Sequence, residues 1–541
     1  MATSADQSHR GGKAQTNFTM IQAFEWYSAG GGKHWQTVKS HLSDWADFGL
    51  TSMWLPPPTK GSSTEGTGYD VYDLYDLGEF DQKGNKRTGW GNKEEFIDLI
   101  KTGKELGIIT YIVRPRLMMC TCMIDAVLNH RLGADESETF KATEVANDDR
   151  TKNLGEPYDI EGWTKFNFAG RGDKYSKMKY NFNHFTGVDF DNKTGKKSIF
   201  RIEGENKYWA EAVDSENKNY DYLMVRWRSA ASYCLVLGDR KTNPLHTPFD
   251  FRFDHAHGDV KQDILNWGSW VLKETGASGF RFDAVKHIDV GFISEFVEHI
   301  RKESNNPAMF CLGEYWKDSF ETNNSYLNKI GQQFSLFDCP LHYNFKEAGD
   351  SHADFDMRKI WDGSIVQNRP IDAVTLVDNH DTQVGQALQS CVASWFKPLA
   401  YALILLRVDG YPCVFYGDLY GCQGENPQPP VNQLSDLIRA RKLFAYGELR
   451  DYWDHPNCVG WVRAGSEGYS GCAVVMSNGE GGKKRMEVGK EHAGEKWTDI
   501  LGWTQGEVEI GEDGWAEFTC PGESLGVWAH EQAKGREEFG K

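Results

Sequence analysis

No stretch of this chain is apolar for long enough to cross a membrane; even Leu399 to Leu406 falls far short of the ~20 residues a spanning helix needs. Positive charge is also short. A net charge of -18 and a pI of about 5.4 argue against nucleic acid or an anionic membrane surface as partner. The 11 cysteines are odd in number and form no CxxC pair, so they read as reduced thiols and not as a disulfide framework. Met1 to Thr16 is polar and lacks the apolar centre of a secretory signal. Together these features predict a cytoplasmic protein.

What is present is globular. At 541 residues, two or three domains are expected. Aromatics make up 13% of the chain, with 19 Trp, which suits either core packing or the flat faces of sugar rings. The acidic balance favours a neutral ligand.

Strand and helix patterns alternate along most of the sequence. Thr19 to Trp26 reads as a strand, and Trp35, Val38, Leu42 and Trp45 recur at the three-and-four spacing of a buried helix face that Gly49 closes. Leu50 to Pro56 is a second strand, Glu94 to Leu106 a helix, and Gly107 to Ile112 a third strand. A helix over Val260 to Val271 leads into Gly279 to His287, a fourth strand, followed by a helix over Ile293 to Ile300. Met309 to Trp316, Ser335 to Leu341, Ala373 to His380 and Pro412 to Asp418 complete eight strands, with helices over Trp395 to Leu406 and Leu434 to Phe444. Eight such units predict a parallel (β/α)8 TIM barrel. The expected divisions are a polar leader (1–16), a barrel (17–130 and 256–449), an inserted, irregular, β-rich domain after strand three (131–255), and a C-terminal all-β domain of Greek-key type (450–541).

Within Gly279 to His287, Arg281 and Asp283 lie two apart and share one face of the strand. A guanidinium beside a carboxylate keeps it ionised, which suits either a nucleophile or a structural ion pair. The other strand ends favour chemistry. Asp125 and His130 follow strand three, Glu314 ends strand five, and His380 and Asp381 end strand seven. Catalytic groups in a parallel barrel gather at this rim.

DAVLNH (125–130), GFRFDAVKH (279–287), GEYW (313–316) and VDNHD (377–381) resemble the four motif blocks of the α-amylase family, glycoside hydrolase family 13. The resemblance extends from QAFEWY (22–27) through GYDVYDLYDLG (68–78) to FYGDLYG (415–421), and is nearest to the liquefying bacterial and fungal intracellular type. It implies a retaining endo-hydrolysis of α-1,4 bonds in starch- or glycogen-type α-glucans. Asp283 would be the nucleophile, Glu314 the general acid/base and Asp381 the stabiliser of the oxocarbenium-like transition state. Arg281 would hold Asp283 ionised; His130, His380 and Asp125 would line the cleaving subsite, Tyr69 would stack on its sugar, and Lys286 and His287 would meet the leaving-group side. The resemblance also implies a structural calcium, with Asn129, Asp221 and the carbonyl of His287 as ligands. That set is incomplete: Arg252 stands about where a further Asp belongs, and Ala210 where a second metal cluster would need a carboxylate. A monomer is expected. A transglycosylase, an exo-α-glucosidase, or a catalytically impaired carbohydrate-binding homologue are the alternatives.

Two segments depart from the pattern. Removing Val113 to Ile124 would join Ile112 to Asp125 in one uninterrupted strand, and removing about 225–250 would restore the spacing between Met224 and Phe251. Both are expected to be retained introns or gene-model errors, which sequencing of the mature transcript checks.

Overall fold

The computed structural model describes residues 17–108, 122–205, 207, 209, 251–331 and 334–539. Eight parallel strands close a barrel: Met20–Gln22, Ser52–Leu55, Cys122–Ala126, Gly279–Phe282, Phe310–Gly313, Ser335–Phe337, Ala373–Leu376 and Tyr411–Phe415. Each pairs with its sequence neighbours among these eight, and the first closes on the last through Met20↔Cys413. Every side chain in the first seven strands is buried, because helices cover the outside while side chains fill the inside.

The helices form where the sequence predicts. His34–Phe48 buries His34, Trp35, Val38, Leu42 and Trp45, and ends at Gly49, whose φ of 107° only glycine adopts without strain. Lys93–Glu105 starts from a capping box between Asn92 and Glu95. The apolar run at Leu399 to Leu406 belongs to the helix Lys397–Leu406, buried all round between the barrel and the C-terminal strands; Trp461 Nε1 donates to its Leu406 carbonyl. No described helix is long and apolar enough to cross a membrane.

The barrel strands are shorter than their expected runs, the fourth stopping at Phe282 and the seventh at Leu376, and three assignments change further. The third barrel strand is Cys122–Ala126 and not Gly107 to Ile112, of which residues 109–112 lie outside the described part. Both runs are apolar, but Cys122–Ala126 holds the barrel register, Met53↔Cys122 on one side and Gly279↔Met123 on the other. The last three residues of the 113–124 segment therefore sit in the barrel wall; 225–250 lies outside the described residues. Strand six stops at Phe337, because Asp338 caps a helix, Cys339–Ser351, with Pro340 in its first turn. Strand eight ends at Phe415 and the chain turns helical over Tyr416–Tyr420. The helix Phe320–Ile330 was not expected from the sequence.

Between strands three and four the chain builds a six-stranded sheet in the order His130–Arg131, Phe251–Phe253, Phe185–Asp191, Lys196–Ile202, Glu136–Val145, Tyr158–Lys165. After the barrel, a second six-stranded sheet runs from Leu449–Tyr452 to Ser524–His530, faced by the two-stranded pair Gly482–Glu487 and Trp515–Cys520.

Candidate active site

Arg281 is the centre of the barrel's C-terminal rim. Its side chain is fully buried, and burying a guanidinium is costly unless all its neighbours answer it. One terminal nitrogen donates to both oxygens of Asp125 (2.7 and 2.8 Å) and to Asp283 Oδ1 (2.9 Å). The other terminal nitrogen donates to Glu314 Oε2. The expectation that Arg281 serves Asp283 is therefore too narrow: one cation answers three carboxylates from strands three, four and five.

Those carboxylates, with Asp381 near them, cannot all ionise against a single positive charge. Burial pushes Asp283 well up, Arg281 pulls it back, and Glu314, Asp125 and Asp381 push it up again. Asp125 is raised, mainly by burial. Asp381, with 26% of its side chain open, is pushed up to about 7, by burial first and Glu314 second. Arg281 pulls Asp283 towards the ionised form, as expected, but burial, the largest cause, and the neighbouring acids leave the net direction upward.

Two local features aim Asp283. Its Oδ1 is taken by Arg281, while Oδ2 is buried with no hydrogen-bond partner. Next to it, Ala284 sits at φ 45°, ψ 47°, a left-handed conformation that costs a non-glycine residue about 1–2 kcal/mol. This turn takes the chain from strand four into the short helix Val285–His287 and brings the Ala284 N–H to Glu314 Oε2 (3.4 Å).

An aromatic wall stands beside the carboxylates. The Tyr69 ring stacks on His380 (5.2 Å between centroids, 9° between planes) and on Trp26 (5.9 Å, 11°). The Tyr69 hydroxyl donates to Asp125 Oδ2 at 2.6 Å. Trp54 Nε1 donates to the same oxygen at 3.2 Å, and its ring lies 4.8 Å from the Arg281 guanidinium. Gln22 Nε2 donates to His380 Nδ1 (2.9 Å), which fixes the histidine proton on Nε2, facing Asp381 Oδ2 at 3.5 Å. Burial and Arg281 keep His380 neutral. Gln22, Trp26 and Trp54 were not singled out from the sequence. They lie within or beside the first two strands, and their inward alternation was the available signal. Lys286 Nζ donates to the Trp316 carbonyl at 3.3 Å, and His287 is buried beside it in the chain.

His130 Nε2 donates to the Tyr69 carbonyl at 2.8 Å, and Asn129 Oδ1 faces His130 Nδ1 at 2.5 Å. Asn129 Nδ2 is buried without a hydrogen-bond partner. Asp221 lies outside the described residues. Elsewhere Lys207 Nζ fills an oxygen cage, bonding the carbonyls of Asn183 and Phe185 (2.8 and 2.7 Å) and pairing with Asp254 (3.3 Å). His184, His257 and Asp259 form a group close enough to hold a metal ion, with ligand atoms within 4.8 Å of one another. Both Nδ1 atoms already accept backbone N–H bonds, from Asn181 (2.9 Å) and Asp259 (3.3 Å). As folded, their Nε2 atoms present protons and not lone pairs. A cavity of about 810 Å³ lies against Phe48, Arg439 and Phe539 and includes none of the carboxylates above.

Carboxylates carried by four barrel strands thus gather at one rim beside an aromatic wall. Comparison with known proteins identifies the family. The α-amylase of Bacillus licheniformis is 41% identical over 520 residues, covering 95% of this chain and 94% of that protein. The chain belongs to the α-amylase family of glycoside hydrolases. Family models for the α-amylase catalytic domain and the α-amylase C-terminal domain match residues 247–496 and 473–529. The cytoplasmic α-amylase of Escherichia coli K12 is 39% identical over 529 residues, covering 95% and 99%. Among solved structures, an α-amylase I variant of Eisenia fetida with maltohexaose shares the fold, at a TM-score of 0.60 and 12% identity over 95% of this chain and 98% of that one. This member of the family is an enzyme acting on α-glucans.

Proposed function

We propose that the enzyme is a retaining, endo-acting α-amylase of the liquefying or intracellular type, cleaving α-1,4 bonds through a glycosyl-enzyme intermediate. The observation that carries this is Arg281, whose two terminal nitrogens grip Asp283 and Glu314. That grip brings the two carboxyls together, as retaining enzymes require at ~5–5.5 Å. Asp283, drawn towards its carboxylate form by Arg281, attacks the anomeric carbon through Oδ2, which has no hydrogen-bond partner. Glu314 gives its proton to the departing glycosidic oxygen. Because Oε2 accepts from Arg281, the proton rides on Oε1. Water then attacks the glycosyl ester and returns a proton to Glu314. Asp381, with His380 Nε2–H beside it, holds sugar hydroxyls and the developing positive charge. The Tyr69 ring carries the sugar face; His130 and Asp125 shape the same subsite, and Lys286 and His287 meet the leaving side.

The proposal includes a structural calcium on the Asn129 oxygen, Asp221 and the His287 carbonyl, supplying rigidity where the barrel meets the inserted sheet. It also includes a monomeric, cytoplasmic enzyme with the domain divisions predicted from the sequence.

The test is product analysis on soluble starch. New chain ends released as the α-anomer support retention, and β-anomers overturn it. Early mixtures of short oligosaccharides support endo cleavage; glucose alone means an exo enzyme, and longer chains built from added acceptor mean a transglycosylase.

A further inference from the structure

Most cysteines here are shut away. Burial pushes the thiols of Cys122, Cys311, Cys413 and Cys472 up to about 12, which leaves them unreactive. Two others differ. Cys458 opens the strand Cys458–Arg463 of the C-terminal sheet, and Cys520 closes the facing strand Trp515–Cys520. Gly482 pairs directly with Cys520 and lies between the two thiols. A methyl group on Gly482 would sit 2.4 Å from Cys458 Sγ and 3.8 Å from Cys520 Sγ, so the missing side chain is what lets both sulfurs point into one space. Both thiols belong to one buried cluster with Met486 and Phe518. Cys458 retains 8% of its surface, at the edge of the module.

We propose that Cys458 and Cys520 are a modification site that closes to a disulfide when a hydroperoxide is present, stapling the strand Cys458–Arg463 to the facing pair of strands. The electrons balance. The Cys458 thiolate attacks the terminal peroxide oxygen, the O–O bond breaks, and the leaving oxygen takes a proton and departs as water from hydrogen peroxide or as the alcohol from an organic hydroperoxide. The sulfenic acid on Cys458 is then attacked by Cys520 sulfur, the S–O bond breaks, the Cys520 proton leaves with the oxygen, and water forms. Two thiols lose two electrons, and one peroxide gains them.

The order of attack follows from the local charges. The neighbouring Cys520 thiol, with the ammonium of Lys484 adding to it, pulls Cys458 down, and Cys458 in turn raises Cys520. Lys484 is held in place by its ion pair with Asp454. Cys458 is thus the attacking sulfur and Cys520 the resolving one.

The test treats the full enzyme with hydrogen peroxide, alkylates free thiols, and maps peptides without reduction. The expected result is a linked peptide pair containing Cys458 and Cys520, two hydrogens lighter than the free pair. Thermal unfolding should shift up by about 5 °C, because the bridge closes a loop of about 60 residues. Both effects should disappear on adding dithiothreitol and in Cys458→Ser and Cys520→Ser. Recovery of both cysteines as alkylated thiols after peroxide would overturn the proposal. So would Cys458 advancing to sulfinic acid while Cys520 stays free. The peptide map on the unsubstituted enzyme decides even if either variant folds poorly.

Discussion

The barrel rim and the C-terminal module are both buried, and they are built from opposite materials. Around Arg281 the interior holds Asp125, Asp283 and Glu314, charges that cost free energy to desolvate and repel one another. The interior of the C-terminal module holds Val462, Val475, Met486, Trp497, Phe518 and Trp528 about the thiols of Cys458 and Cys520. The first region gives up stability for chemistry, and the second contributes stability without touching the reaction. Breaking each should therefore damage different observables.

The largest effect should come from the rim. Asp283→Asn keeps the shape and removes the proposed nucleophile, so kcat on soluble starch should fall by about 10⁴-fold or more while the fold survives. Far-ultraviolet circular dichroism alongside the assay checks both halves. If hydrolysis survives the change, Asp283 is not the attacking group.

The mirror experiment is Phe518→Ala, which opens a hole where no side-chain surface reaches solvent. Truncating a buried Phe costs about 3–5 kcal/mol of stability. The expected outcome is a lower denaturation midpoint with kcat per folded molecule unchanged. A proportionate loss of kcat would mean that the two regions are coupled and the contrast is wrong.

A subtler cut runs through the rim's own trade. Asp381 is pushed up to about 7 in the folded enzyme from an ordinary value of 3.8. The folded state therefore binds the extra proton, and the stability this carries is complete below about pH 3.8 and lost as pH rises through about 7. Asp381→Asn does not titrate. It should be as stable as the parent at pH 4 and more stable at pH 8, by up to about 4 kcal/mol, while losing most activity. Melting curves across that range decide; a parent that is the more stable partner at pH 8 would reverse the sign.

Much of this contrast was legible in the sequence, because it rests on local patterns. Arg281 and Asp283 share a face by strand alternation alone, and the stripe from Trp35 to Trp45 with Gly49 behind it specifies a helix and its end. The rim acids follow from acids at strand ends. What could not be read depends on distant partners. Ile108 to Ile112 and Cys122–Ala126 are both apolar, and only pairing with Met53 and Gly279 distinguishes them. Arg281 reaches Asp125 and Glu314 as well as Asp283, and burial with those acids raises Asp283 against the pull of Arg281; no spacing encodes that. The Cys458–Cys520 contact spans two sheets and is equally invisible.

The smallest predicted effect tests whether the wall beside the rim is scenery or machinery. Gln22 touches no carboxylate; it donates one hydrogen bond to His380 Nδ1. That bond fixes the imidazole tautomer, so Nε2 carries the proton towards Asp381 and a bound sugar. Gln22→Leu keeps the volume and removes the donor, leaving a buried ring nitrogen unanswered at a cost of about 1 kcal/mol. Both tautomers then compete, and the half with the proton on Nδ1 cannot donate to substrate. The expected result is a fall in kcat/KM of about 5–10-fold with little change in melting temperature. The imidazole nitrogen resonances should move towards a mixed tautomer. A purely structural role predicts the reverse, a lowered melting temperature with kcat/KM intact.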